Sequence, residues 1–599
     1  PPPPPPPTPP RLFKAEDGIR DIHCSLVGSE MCIRDRYTAM AAWQCGAQVT
    51  LYAPLPEPMP EPLAPLAASL TWLGPTIDPR DLARFEISYR DNTTTYVNAH
   101  FGAELSWSDE QLPDDLSCYD VVHLVPIGEI ARQRTLLTAC RDRGAPRSSA
   151  GTAFDLINEQ PHEAQSVLNE ADVFFLNEVE AEQLFGSLAG VRSRVGQTLF
   201  VTLGAEGARV VQGEATIDLA AMPADVIDPT GAGDAFCGAT LARLAAGRHP
   251  ALAARQAIPV AARMTEKPGP AALCEQLPEL ATRPDTQVKV NQSRIAAIAK
   301  LIGVQDEVAP FPFTGPDLPP PGHTAALDYF FAATLQQFGF WSLAGDRYEK
   351  PLVATLDGEE RKGAFYLFRA YLRWLENDPQ KLTPSGQAEL TEADLRALLR
   401  ADDGTEPMPA MDLHLALARQ YGQDMLALDF TPQTLLERVN RSRDPLQALL
   451  RALDHVGGYK EDPLRKKSGL LGMILQQRPE SFLGGHAHDM PPVVDYHVMR
   501  SCLRMGLVDV VDEQLREKLV ARRVLSADEE WAVRLAAHDA IEQVVIQSGK
   551  SMGAVDWFFF QARRRCPEMT APRCDECLVD AACAHRKTLF QPVLRTSYY

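Results

Sequence analysis

Between residues 37 and 280 short apolar runs alternate with longer amphipathic ones. QVTLYA, DVVHLVPIG, ADVFFLN and TLFVTLG are continuous apolar stretches of strand length, the pattern of strands buried on both faces of a parallel sheet. Between them, EIARQRTLLTACRDRG and HEAQSVLNEA carry apolar residues at helical spacing. Such alternation predicts a doubly wound α/β domain. RFEISYRDNTTTYVN instead repeats with period two about Asp91-Asn92, which predicts a hairpin outside the main sheet. From about residue 291 the period becomes helical, in SRIAAIAKLIG, AFYLFRAYLRWLEN, EADLRALLR, PLQALLRALDHVG and DEQLREKLVARRVL. A mainly α domain is expected over 291–599, and TEAD has a capping arrangement ahead of its apolar run. The polar stretch 281–290 reads as the linker between the two domains.

The first 36 residues fit neither period. PPPPPPPTPP is a low-complexity tract, and FKAEDGIRDIHCSLVGSEMCIRDR resembles translated sequencing-adapter sequence, with a natural disordered tail as the alternative. Residues 1–36 are therefore expected to be disordered and to make no sheet contact.

Composition narrows the classes. A chain of 599 residues exceeds one ordinary core and should hold two or three domains. No apolar run approaches a membrane span, and no leader precedes a cleavage site. A formal net charge of −20 argues against a large nucleic-acid footprint. Of twelve cysteines, four cluster near the end and the rest are scattered, which suits a reducing cytoplasm and a metal site.

The stretch DPTGAGDAF, Asp228 to Phe236, leads into the amphipathic AFCGATLARLAAG. Its glycines let the backbone approach an anion, and a helix start offers unpaired N–H groups and a partial positive charge. Asp234 sits at the mouth of that cradle, placed to take a proton from an attacking hydroxyl. The bland alternative is a tight turn at a helix start. These residues resemble the ribokinase (PfkB) family of sugar and nucleoside kinases. The resemblance implies that Asp234 is the catalytic base and that Gly231, Ala232 and Gly233 form the anion hole. NEVE matches the family's Asn-x-x-Glu motif, so that Asn177 and Glu180 would organise Mg²⁺ and phosphate. VTLGAEGARV would place Thr202 and Gly204 beside ATP, and the hairpin at 84–98 looks like the family's lid. Without the resemblance, Asn177 and Glu180 read as a helix cap. The family's opening strand with its substrate-binding Asp and its Gly-Gly motif find no match in residues 1–36, so weak or no phosphorylation is expected of this sequence until the native N-terminus is restored.

In the helical half Cys566, Cys574, Cys577 and Cys583 are separated by seven, two and five residues, and four thiolates so close can surround one metal or one cluster. The loop resembles the iron–sulfur loop of the endonuclease III group of DNA glycosylases, whose first gap is one residue shorter. VVDYHVMRSCLRMGLV resembles that superfamily's helix bearing a catalytic Asp, matched by Asp495, but no LPGVG hairpin is present. A second resemblance runs over 290–599, to the queuosine salvage family of queuosine 5′-phosphate N-glycosidases, which share a DNA-glycosylase-like helical fold. It is carried by LQQFGFW, by LTEADLRALLRADDGTEPMPAMDLHLALARQYG, by RKKSGLLGMIL with Lys467 at the matching place, and by the ending FQPVLRTSYY. It implies that Asp495 stabilises a cationic sugar, that FGFW, including Trp341, stacks on a base, and that Lys467 or Arg465 meets a 5′-phosphate. In their own right Asp495 could be a helix N-cap, FGFW plain core and Lys467 a surface residue. GGHAHD at 484–489 offers a weaker metal reading.

The two resemblances together imply a ribokinase-like α/β domain followed by a mainly α, DNA-glycosylase-like one. The expected activity is ATP-dependent 5′-phosphorylation of a nucleoside, queuosine by resemblance, followed by release of its base. The implied cofactors are ATP, Mg²⁺, a 4Fe–4S cluster and a monovalent cation. Partners would be a small nucleoside or nucleotide, with no membrane, nucleic acid disfavoured and a homodimer through the kinase lid. The competing readings are an iron–sulfur DNA or RNA glycosylase fused to a vestigial kinase, and a sugar kinase with a non-catalytic helical binding domain.

Overall fold

The computed structural model describes residues 33–599 apart from 91–92, 101, 107, 127–128, 274–286 and 486–489. Two compact units account for the chain. The first comprises the chain up to Gly186 together with Met222–Ala242 and Val260–Gln276; the second comprises Ser187–Ala221, Arg243–Pro259 and Leu277–Tyr599. Most of the stretch expected to be disordered lies outside the described residues, but helix α1 (Ile33–Gln44) starts four residues ahead of the boundary placed at 37, with Arg36 buried.

After α1, β1 (Thr50–Tyr52) pairs in parallel with β2 (Thr71–Leu73). The period-two segment forms an antiparallel hairpin, β3 (Arg84–Arg90) and β4 (Thr93–His100), in a sheet of its own; its expected turn at Asp91-Asn92 lies outside the described residues. Then β5 (Val122–Leu124), α2 (Ile130–Asp142), β6 (Ser148–Gly151), α3 (Pro161–Glu170) and β7 (Val173–Asn177) alternate, and the three strands run parallel in the order β5-β6-β7. Val173, Phe174, Phe175 and Leu176 are all buried, as a strand covered on both faces requires. Helix α4 (Glu178–Phe185) follows at once.

In the second unit the strands run differently. There β8 (Thr198–Thr202), β9 (Ala208–Gln212) and β10 (Ala215–Leu219) form an antiparallel meander. Its links are too short for the crossover that parallel strands need. Gly207 closes the first of them at φ +106°, accepting the Leu203 N–H. Helices α5 (Ala232–Ala245) and α6 (Pro250–Thr265) complete the α/β part.

The rest of the second unit is mainly helical, as its spacing predicts. β11 (Val288–Val290) pairs antiparallel with residues 508–510, so part of the stretch read as linker is structured. It is followed by α7 (Gln292–Gly303) and α8 (Ala326–Thr334), by two hairpins that the helical pattern did not announce, β12 (Trp341–Ala344) with β13 (Arg347–Pro351) and β14 (Val353–Leu356) with β15 (Glu359–Lys362), and by α9 (Ala364–Asn377). Further on lie α10 (Met411–Ala427), α11 (Lys466–Gln477), α12 (Tyr496–Met505), β16 (Val508–Val510), α13 (Ala527–Ser548) and α14 (Met552–Arg565). The helix at Glu392–Leu398 carries the expected cap, with Thr391 and Asp394 each accepting the other's backbone N–H.

At the centre of this unit two fully buried charges face each other. Arg534 of α13 donates to both carboxylate oxygens of Asp462, at 2.8 and 2.7 Å. Asp462 also accepts the backbone N–H groups of Leu464 and Lys466, at 3.1 and 2.8 Å, and so fixes the start of α11. The Arg534 guanidinium lies over the rings of Tyr598 and Tyr599 and donates to the Val494 carbonyl just ahead of α12. Removing one partner strands a buried charge, which costs about 3–5 kcal/mol. Arg534→Met and Asp462→Asn should each lower the unfolding free energy by about that amount in a denaturant titration. A loss within about 0.5 kcal/mol for both, the range of an ordinary surface substitution, would show that the pair does not organise this core.

Candidate functional site

In the first unit the DPTGAGD segment forms the start of α5. Asp228 is buried and pins the preceding loop, accepting from the Thr230 N–H at 2.9 Å and the Gly269 N–H at 3.0 Å. Gly231 adopts φ +77°, and a Cβ there would meet the Tyr37 ring at 2.5 Å, so only glycine fits. Ala232 is the first helical residue, Gly233 faces open space, and Asp234 stands in the first turn with its carbonyl accepting from the Thr38 hydroxyl at 3.2 Å. A loop that a backbone can approach and a helix N-terminus behind it are the parts an anion cradle needs. Asn177 caps α4 in a reciprocal box, its side chain accepting from the Glu180 N–H while Glu180 accepts from the Asn177 N–H, both at 2.9 Å. The capping role read from the bare sequence is thus present in the fold. Thr202 and Gly204 belong to the second unit, where Thr202 ends β8 and Gly204, at φ +56°, opens the turn after it.

The second unit contains a cavity of about 70 Å³. Its chemistry comes from three helices. Asp495 caps α12, its Oδ1 accepting from the Val498 N–H at 2.9 Å, and also lines the cavity. Lys466, at the start of α11, reaches the cavity and donates to the Gln337 carbonyl at 3.1 Å. Asp556 stands on α14. Burial, and then the charge of Asp495, push the Asp556 carboxyl up to about 8, while Lys466 opposes the rise. Burial lowers Lys466, against the pull of Asp495 and Asp556. At neutral pH the cavity therefore holds a protonated carboxylic acid beside a second carboxyl group, the arrangement that separates acid from stabilising roles.

Aromatic rings form one wall. Phe311 stacks on Trp557 with centroids 4.2 Å apart and planes 11° off parallel, and Trp557 stacks on Phe560 at 5.5 Å. On another side the buried Glu568 accepts from Tyr348 and, at 2.7 Å, from Lys362. Burial pushes Glu568 up, but the Arg500 and Lys362 charges outweigh it and hold the carboxyl below its ordinary value.

The residues nominated from sequence divide accordingly. Asp495 lines the cavity. Lys467 does not: it is buried, donates to the Leu335 carbonyl at 2.9 Å and lies over the Phe338 ring. Neighbours on a helix point about 100° apart, and Lys466 is the one that faces inward. Arg465 is committed to Asp454, at 2.8 and 2.6 Å, and to the Gly247 carbonyl. From FGFW, Phe340 reaches the cavity, whereas Trp341 packs on Tyr348 and Arg595. His486, His488 and Asp489 of the GGHAHD stretch lie outside the described residues. Asp556, Trp557 and Phe311 were not nominated; the signal for the first two was a carboxylate set inside the aromatic run DWFFFQAR.

The four late cysteines converge after α14. Cys566 caps that helix, Cys574 opens a 3-10 turn (Cys574–Glu576) with Cys577 just beyond it, and Cys583 follows a second turn (Asp580–Ala582). Burial and then the neighbouring thiols Cys577, Cys574 and Cys566 raise Cys583. Donors meet the sulfurs: the His585 N–H to Cys583 at 3.4 Å and Arg504 Nη1 to Cys566 at 3.4 Å. Cys574, Asp580 and His585 bring ligand atoms within 4.8 Å of one another, whereas no three of the four sulfurs among the described residues lie that close. A single zinc ion with Zn–S bonds of about 2.3 Å draws its thiolates together; a multi-iron cluster holds them further apart, and hydrogen bonds to sulfur tune it. Four thiolates are ligands that either kind of centre takes.

Residues 86–277 match the model of the pfkB family carbohydrate kinases. The solved structures similar to the chain include adenosine kinase from Sinorhizobium meliloti, at 18% identity, covering 39% of this chain and 77% of that one with a TM-score of 0.34. Another is the nucleoside kinase of Burkholderia thailandensis in complex with inosine, at 23% identity, 39% and 79% coverage and TM-score 0.34. A third is aminoimidazole riboside kinase from Salmonella enterica, at 19% identity, 40% and 87% coverage and TM-score 0.33. No curated protein matches the chain. None of the described helices is long and apolar enough to cross a membrane.

The resemblance of the cysteine loop leads to a direct expectation. Protein purified without air should contain iron and inorganic sulfide and absorb as a brown cluster protein, and Cys577→Ala should lose the iron and melt at a lower temperature. Zinc without iron in the metal analysis would contradict the cluster.

Proposed function

We propose that the chain is a bifunctional nucleoside salvage enzyme, in which a kinase part phosphorylates a nucleoside at its 5′-hydroxyl and the helical part hydrolyses the N-glycosidic bond of the resulting nucleotide. The observation that carries the second activity is the pair Asp495 and Asp556 with Lys466 in one aromatic-walled cavity.

For phosphoryl transfer, ATP with Mg²⁺ supplies the phosphoryl group and the charge that neutralises it. The roles proposed for the chain's own residues follow the matched family. Asp234 accepts the hydroxyl proton, and the amides at Gly231, Ala232 and Gly233 receive the transferring group. Asn177 and Glu180 order metal and phosphate, while Thr202 and Gly204 stand by the nucleotide. The named nucleoside kinases among the similar structures fit a nucleoside as the acceptor.

For glycoside cleavage, the C1′–N bond breaks with its electron pair going to the base. Protonated Asp556 donates a proton to the departing ring, which keeps the base from leaving as an anion. Asp495 faces the sugar carbon as positive charge develops and stabilises it. Water then adds at C1′ and its proton returns to Asp556. Lys466 lines the same cavity and donates to the Gln337 carbonyl, which fixes its position beside the substrate. Phe311 and Trp557, now in contact, would part to receive the base between their faces. Phe311 lies in a Pro-rich loop and can move; Trp557 is fixed on α14. The products are a free base and ribose 5-phosphate. The resemblance in the helical half makes queuosine the first nucleoside to try, with queuine as its base.

The test is base release by the full chain from queuosine 5′-phosphate, from queuosine and from a duplex containing a damaged base. Release should be far faster from the phosphate, and Asp495→Asn should cut it by about 10²–10⁴-fold. Because Asp556 must be protonated, the rate should hold at neutral pH and fall as pH rises through about 8, a limb that Asp556→Asn removes along with most of the rate. With ATP and Mg²⁺ the nucleoside should become at most a weak substrate of this sequence, and Asp234→Asn should abolish that rescue alone. Equal rates with and without phosphate would break the link to the kinase. Activity confined to the duplex would favour the DNA-glycosylase reading that the cysteine loop suggests.

A further inference from the structure

We propose that Arg563 is the anion anchor of the helical-domain cavity, the group that takes the 5′-phosphate of a nucleoside monophosphate. The proposal rests on the reading of that cavity as a nucleotide site. It replaces Lys467 and Arg465, both of which are committed to other partners.

Three observations carry it. First, Asp556, Trp557, Phe560 and Arg563 fall at i, i+1, i+4 and i+7 of α14 and all line the one cavity. Residues so spaced share a helix face, and seven residues span about 10 Å along the axis. Acid, stacking surface and cation thus stand in a row. Long side chains on a helix lean back over the preceding turn, which shortens the distance from the cation to the acid to one that a nucleotide can bridge.

Second, the guanidinium is held but not consumed. Its Cζ lies over the Phe560 ring, 3.7 Å from the centroid, and over Phe365 at 5.5 Å. Among the described residues no carboxylate or carbonyl accepts a hydrogen bond from it, so its N–H edges remain available. A planar cation fixed by stacking with its edges free is the group that binds phosphate in bidentate fashion.

Third, the other cavity cations are occupied. Lys466 donates to the Gln337 carbonyl and Lys362 to Glu568. Glu568 is balanced in turn by Arg500 and Lys362, and Asp495 is the remaining carboxylate whose charge acts on Arg563. Burial lowers Arg563 to about 10, so it keeps its proton at neutral pH while water competes weakly for it.

The experiment is calorimetric binding of ribose 5-phosphate and of ribose to the full chain, alongside hydrolysis of the nucleotide and the nucleoside. Wild type should bind ribose 5-phosphate and not measurably bind ribose at the same concentration. Arg563→Met should weaken ribose 5-phosphate binding at least tenfold, Arg563→Lys should restore part of it, and Arg564→Met, an exposed neighbour, should bind as wild type. In turnover, Arg563→Met should raise KM for the nucleotide far more than for the nucleoside. A melting curve checks that each variant is folded; if Arg563→Met unfolds, Arg563→Lys and Arg563→Gln carry the comparison. Wild type that fails to bind ribose 5-phosphate, or variants that bind it undiminished, would overturn the assignment. Arg563-dependent binding without hydrolysis would leave the anchor standing and sink the glycosidase reading. Hydrolysis whose phosphate preference ignores Arg563 would do the reverse.

Discussion

The buried Asp462–Arg534 pair is the constraint from which the helical part is built. Two opposite charges without solvent are tolerable only if every lone pair and N–H finds a partner, and here the partners are the elements that make the cavity. Asp462 takes the amides at the start of α11 and so sets where Lys466 points. Arg534 reaches the carbonyl of Val494, next to Asp495, and stacks on Tyr598 and Tyr599, the latter a wall of the cavity. Tyr599 in turn donates to Glu530, one turn before Arg534 on α13. Stability and site geometry therefore come from one network.

That network gives the cavity its electrostatic character. It brings two carboxyl groups and one ammonium together out of water, and the groups cannot all keep their ordinary charges there. Burial and the Asp495 charge raise Asp556 to about 8, whereas Asp495 itself accepts a helix N–H from Val498. Two chemically identical side chains thus stand in different surroundings. The aromatic wall offers flat apolar surfaces beside the shifted carboxyl group.

Much of this was legible in the sequence, and the exceptions have physical causes. Continuous apolar runs and helical spacing located β7, β8, α2 and α9, because each of these segments buries a face that its own residues define. The two hairpins between Trp341 and Lys362 were hidden. Their strands are short and largely exposed, although Asp357-Gly358 is a turn signal of ordinary strength. Asp495 came from the resemblance, while the bare sequence offered it as a helix cap, a position it does hold. Lys466 was missed by one residue, since the pattern RKKSG does not say which lysine faces inward. Asp556 was missed because nothing local distinguishes a buried acid from a surface one; its role arises from Asp495, Lys466 and Phe311, which lie far away in the chain. In the α/β part the Gly-rich start of α5 was plain, and its demand for glycine at 231 is now accounted for by the Tyr37 ring.

The most direct test of the account is a crystal structure of the Asp495→Asn protein soaked with queuosine 5′-phosphate. The account predicts the base between Phe311 and Trp557, Asp556 within hydrogen-bond reach of the base, C1′ facing residue 495 and the phosphate against Arg563. A nucleotide bound elsewhere, or a cavity in which Phe311 and Trp557 remain stacked on each other at saturating ligand, would contradict it.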